Sequence, residues 1–140
     1  GNYYGYFLLM TYVKKHETKF WNETRNNLPG IVFYRIENLS VPGLPDVLCA
    51  HPNCGFFTLE LKVTKGNKVD FSPHQIAFHK TTPARTFILV KALGQRALIL
   101  YQGIKIQEIL DKGLDASPLV QGPIDLYTWS KIHDLLIKIA

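Results

Sequence analysis

The 140-residue chain is 46% apolar and 19% charged, which suits one compact domain with a buried core and excludes a disordered or low-complexity chain. Sixteen Lys and Arg against eleven Asp and Glu leave a net charge of +5, a basic excess that permits contact with nucleic acid. Two cysteines are too few for a disulfide framework, so a disulfide-stapled fold is excluded and a reducing, cytoplasmic setting is expected.

The first apolar stretch, YYGYFLLMTYV over residues 3–13, is too short to span a bilayer, and no small-residue cleavage site follows it. It reads as a packed terminal strand or helix, or a subunit contact, and no membrane partner is expected. Residues 14–27 predict a helix stopped by Leu28-Pro29-Gly30. Val13, Glu17, Phe20, Trp21, Thr24 and Leu28 fall on one side at helical spacing, with Lys15, Lys19, Asn22 and Asn26 opposite. Glu17 thus sits within the apolar stripe and is expected to point inward, where a carboxylate is costly unless paired. Glu23 lies on the flank.

IVFYRIENL (31–39) reads as a strand broken by SVPGLP (40–45). DVLCA (46–50) is a short second strand, HPNCG (51–55) a turn by composition, and GFFTLELKV (55–63) a third strand, in which Phe57, Leu59, Leu61 and Val63 alternate with Thr58, Glu60 and Lys62. SPHQIAFHK (72–80) starts a helix, with Ser72 as N-cap, Pro73 in the first turn and Gln75 completing a capping box. TFILVKA (86–92) and RALILYQ (96–102) have strand length, and KIQEIL (105–110) reads as a strand or short helix. The tail from Leu126 predicts a helix with Leu126, Trp129, Ile132, Leu136 and Ile139 on one face. The order is helix, three strands, helix, two strands, helix, which is a mixed α/β domain. Its divisions would be an extension (1–13), a core (14–92) and a C-terminal strand and helix (93–140).

A hairpin turning near Asn53 sets Asp46 opposite Glu60, with Lys62 on the same face as Glu60. A one-residue slip would separate the two acids. Directly opposed carboxylates repel, and a hard divalent cation with oxygen ligands offsets that repulsion. Lys62 adds a compact positive charge that can orient a water or meet charge growing on a phosphate. The competing reading is an ordinary solvated strand face. Against it, Asp46 shares its face with Leu48 and Ala50 and follows Pro45 where a turn hands over to a strand.

At these residues the chain resembles the PD-(D/E)XK nuclease superfamily. Pro45-Asp46 and Glu60-Leu61-Lys62 match its signature, and the αβββαβ order matches its restriction-endonuclease-like core, a mixed central sheet flanked by helices. ETKFW, RIEN, GLPDV, ELKVTKGNKV and SPHQIAFH together resemble small phage nucleases near the VRR-NUC and archaeal-type Holliday junction resolvase branches, over residues 17–91. The resemblance implies a single-domain, metal-dependent DNA endonuclease, structure-selective and leaving a 5′-phosphate, in the cytoplasm of a bacterial or phage-infected cell. Asp46 and Glu60 would be metal ligands with the Leu61 backbone carbonyl, Lys62 the catalytic lysine, and Glu17 the helical acidic residue of the resolvase-like branches, with Glu37 its rival. Gln75 would match the glutamine that lies near the catalytic lysine or substrate, beside its capping role. Arg35 and Asn38 match a recurring motif. Mg2+ is the implied ion, with Mn2+ substituting.

DNA contact is expected from Lys65, Lys68, His74, His79, Lys80 and Arg85, with Arg35 nearby; the bland reading of that stretch is a solvated loop and helix face. A homodimer would supply two active sites for a four-way junction. One rival is a zinc site at Cys49, His51 and Cys54 with His16, His74 or His79 as fourth ligand, although the spacing fits no common zinc pattern. Another is a non-catalytic nucleic-acid-binding module on the same fold. No G-x-S-x-G elbow, P-loop or G-x-G-x-x-G is present.

Overall fold

The computed structural model describes residues 3–36, 45–82 and 85–138, with backbone only for 3–14. Its elements are α1 (Tyr3–Asn27), β1 (Val32–Arg35), β2 (Val47–His51), β3 (Gly55–Thr64), α2 (Pro73–Thr81), β4 (Thr86–Ala92), β5 (Ala97–Gln102), α3 (Ile106–Lys112), β6 (Val120–Pro123) and α4 (Leu126–Leu136). The strands form one mixed sheet in chain order, β1 to β6. Every neighbouring pair is antiparallel except β3 and β4. Parallel strands require a crossover, and α2 supplies it.

The four helices cover the sheet from both sides. On one face, Phe20 of α1, Leu28 just after it, and Trp129, Ile132 and Leu136 of α4 pack on Leu59, Leu89 and Leu100. On the other, Ile106 and Ile109 of α3 pack on Ile88, Val90 and Ile99, with Ile76 of α2 against the same cluster. All seven residues of β4 are buried, as expected for a central strand covered on both faces. Two sequence features fix α2: Ser72 Oγ accepts the Gln75 N–H, and Gln75 Oε1 accepts the Ser72 N–H.

Several expectations are corrected. The helix expected over 14–27 begins at Tyr3, so the apolar stretch 3–13, read as a strand, a helix or a subunit contact, is helical and continuous with it. KIQEIL resolves in favour of helix, as α3. An unforeseen β6 pairs with β5; VQGP carries Gly and Pro and has no alternating pattern to reveal it. Leu126 is 78% exposed, because α4 starts at the N-cap Asp125 and first turns inward at Thr128 and Trp129. Glu37, Asn38, residues 40–44 of the expected break and Ile139 lie outside the described residues. No described helix is long and apolar enough to cross a membrane.

Candidate functional site

The β2–β3 hairpin turns through Pro52, Asn53 and Cys54. The Cys54 N–H donates to the His51 carbonyl at 3.2 Å, and Gly55 takes φ +75°, a left-handed conformation suited to glycine in a three-residue hairpin loop. His51 Nδ1 accepts the Asn53 N–H at 3.1 Å. His51 pairs with Gly55 and Val47 with Leu59, so one further step brings Asp46 across from Glu60, in the register expected.

Asp46 lies just before β2, and its carbonyl accepts the Ile36 N–H at 2.9 Å. Its Oδ2 accepts the Leu61 N–H at 2.7 Å. The carboxylate thus stands in for the strand partner that β3 lacks once β2 has ended. The N–H and C=O of one strand residue point to the same side, so the Leu61 carbonyl also faces the β2 side. Asp46 is open to solvent on one flank, yet the surrounding protein desolvates its carboxyl and raises its pKa above the ordinary 3.8. The Leu61 N–H opposes that rise, Glu60 adds to it, Lys62 opposes it and Glu17 adds to it.

Glu60 has no exposed surface. Its Oε1 lies 3.2 Å from His79 Nε2, while its Oε2 is buried with no hydrogen-bond partner among the described residues. Lys62 donates to Gln75 Oε1 at 3.1 Å, and its ammonium lies 4.8 Å from the centre of the Phe71 ring. A cleft of about 540 Å³ opens here, bordered by Glu17, Trp21, Arg35, Asp46, Lys62 and Gln75. Glu17 is exposed on its rim; among the described side chains of α1 the first buried one is Phe20, about one turn later. Arg35 lies with its guanidinium 5.4 Å from the Trp21 ring centre.

Lys65, Lys68, His74 and Lys80 are exposed, with Lys68 paired to Asp70 at 3.7 Å. Two other residues expected at the DNA surface are placed elsewhere. His79 is buried against Glu60, beyond reach of an external phosphate. Arg85 donates to the Leu136 carbonyl at 2.8 Å and lies over Phe57 and Phe87, so it ties β4 to the end of α4. The structure also shows an ion pair that the sequence did not suggest: Lys91, only 6% exposed, donates to both Glu23 oxygens at 2.8 and 2.9 Å.

Among the described residues no group of three or more His, Cys, Asp or Glu gathers to hold a metal. For the zinc alternative, Cys49 is buried with its thiol pushed up to about 12 by burial, and the Cys54 thiol donates to the Leu136 carbonyl at 3.5 Å. The chain matches no protein-family model, no curated protein and no solved structure.

The oxygen groups around Asp46 suit a smaller requirement than a closed cage. Magnesium is commonly held by one or two carboxylates and keeps several waters. Asp46, the Glu60 Oε2 that lacks a partner among the described residues and the Leu61 carbonyl offer that kind of donor set, and a cation there would offset both the desolvation that chiefly raises the Asp46 pKa and the smaller repulsion from Glu60.

Proposed function

We propose that the chain is a magnesium-dependent endonuclease that hydrolyses DNA phosphodiesters on a restriction-endonuclease-like core. The observation that carries this reading is the bond from Leu61 N–H to Asp46, which sets Asp46 beside Glu60 and Leu61 at the point where β2 ends. Asp46, Glu60 and the Leu61 carbonyl would hold Mg2+, or Mn2+ in its place. When bound, the ion supplies an activated water and neutralises charge on the phosphate.

The chain's own groups do the rest. Lys62, steadied by Gln75, presents an ammonium to the attacking water or to the charge that grows on the phosphate. Glu17 contributes a further acidic group from the rim. Lys65, Lys68, His74 and Lys80 grip the backbone without reading sequence, and Arg35 borders the cleft from β1. Branched or duplex DNA would be the substrate, with a homodimer supplying paired sites on a four-way junction, in the cytoplasm of a bacterial or phage-infected cell.

The test is a cleavage panel with magnesium over duplex, single-strand, flap and four-way junction DNA, beside a molecular-mass measurement. Cleavage that requires the ion and is lost in Asp46→Asn and Lys62→Met is expected. DNA binding with no cleavage in magnesium or manganese would instead identify a non-catalytic binding module.

A further inference from the structure

We propose that His79 is a positioning residue that holds Glu60 by one oxygen and turns the other toward a cation. The inference rests on the reading of Asp46 and Glu60 as cation ligands. A carboxylate taken wholly out of water is costly unless its oxygens find partners. Among the described residues Glu60 has one: His79 Nε2, 3.2 Å from Oε1, both side chains being fully buried. With Nε2–H donating, Oε1 is committed, and Oε2 remains buried with no partner among the described residues. Metal-ligating carboxylates are commonly fixed in this way by an outer hydrogen bond.

The seat of His79 is itself built. The ring stands edge-on to Phe78, with centroids 5.2 Å apart. Its Nδ1 has no partner among the described residues and looks onto Gly103, where a Cβ would come within 2.7 Å of it and would also strike Thr86 Oγ1. Gly103 follows β5, far along the chain from the hairpin that carries Asp46 and Glu60. A glycine there leaves room for the ring that aims Glu60. Gln75 and His79 are four residues apart on α2, so one helix face steadies Lys62 through the first and Glu60 through the second.

The test measures magnesium affinity of the full chain by isothermal titration calorimetry, with near-ultraviolet dichroism and urea denaturation in metal-free buffer as controls for folding. His79→Leu keeps bulk and removes the donor; magnesium affinity should fall about tenfold or more, the usual effect of losing an outer partner of a metal site. His79→Gln restores an N–H near the Nε2 position and should recover most of that loss. Gly103→Ala, which touches neither carboxylate, should weaken magnesium binding by crowding the ring. Unchanged affinity in a folded His79→Leu protein overturns the proposal, and if that variant does not fold, wild-type affinity in Gly103→Ala overturns it. Wild-type protein that binds no magnesium overturns the cation-site reading as well, so the two failures are distinct.

Discussion

Gln75 Oε1 accepts two hydrogen bonds at once, from Lys62 Nζ at 3.1 Å and from the Ser72 backbone N–H at 3.0 Å. The start of α2 and the position of the lysine are therefore set by one side chain. Gln75→Ala should lower stability by about 1 kcal/mol through the lost cap and also lower cleavage. Ser72→Ala should cost similar stability and leave cleavage much less affected. Urea denaturation beside single-turnover cleavage separates the two; equal losses of activity would show that Gln75 acts only as a cap.

Asp46→Asn keeps an oxygen for the Leu61 N–H and removes a charge that Glu60 and Glu17 disfavour. Cleavage should fall by more than the roughly 100-fold carried by outer partners of a metal site, with no loss of stability. The pH dependence has a definite sign. Because the folded-state pKa is raised, folded protein binds the Asp46 proton more tightly than unfolded protein does. Wild-type stability should decline, relative to the variant, as pH rises from the unfolded value through the raised folded one. Denaturation of both proteins between about pH 3 and about pH 7 checks this; a variant that loses ground as pH rises contradicts the assignment.

Glu17 and Glu23 offer a contrast on one helix. Glu23 holds the buried Lys91, so Glu23→Gln should destabilise the fold by about 1–3 kcal/mol, less than a fully buried pair would because Glu23 is partly exposed. Activity per folded molecule should be kept. Glu17→Gln, on the exposed rim, should change stability by less than about 0.5 kcal/mol while lowering magnesium-dependent cleavage. Equal effects of the two on specific activity would remove Glu17 from the site.

Affinity for DNA should fall steeply with salt. Substituting Lys65, Lys68 or Lys80 by Ala should each reduce the slope of log affinity against log salt by about 1 if that residue neutralises a phosphate. Arg85→Ala should leave the slope unchanged and lower stability, because its guanidinium serves Leu136, Phe57 and Phe87. Fluorescence anisotropy over a salt series reads the slopes, and an unaltered slope in all three lysine variants would take this stretch out of the footprint.

The hairpin was legible because its information is local. HPNCG fixes the turn and the alternation after Gly55 fixes the faces, so the register of Asp46 against Glu60 follows from a short segment. The double use of Gln75 was legible for the same reason, since a capping box is a four-residue pattern. Glu17 was misplaced because helical spacing gives an angle around the axis and not how deeply each turn is covered; its side chain is exposed at the cleft rim. His79 carried a signal that went unused: it lies four residues after Gln75, so a reading that aimed Gln75 at the site aimed His79 inward too. Lys91 and Glu23 could not be matched, because nothing in either segment encodes that a side chain of β4 meets one of α1. Arg85 looked like part of a basic run; only the arrival of α4 at its side makes it structural.

The amide of Leu61 is held by a side chain where its neighbours along β3 are held by ladders. Its exchange with deuterated water therefore depends on where the Asp46 carboxylate rests, and not on opening of the sheet. A single backbone proton becomes a built-in gauge of occupancy: any ligand that draws that carboxylate away should speed exchange at Leu61 while the amides of β4 stay protected.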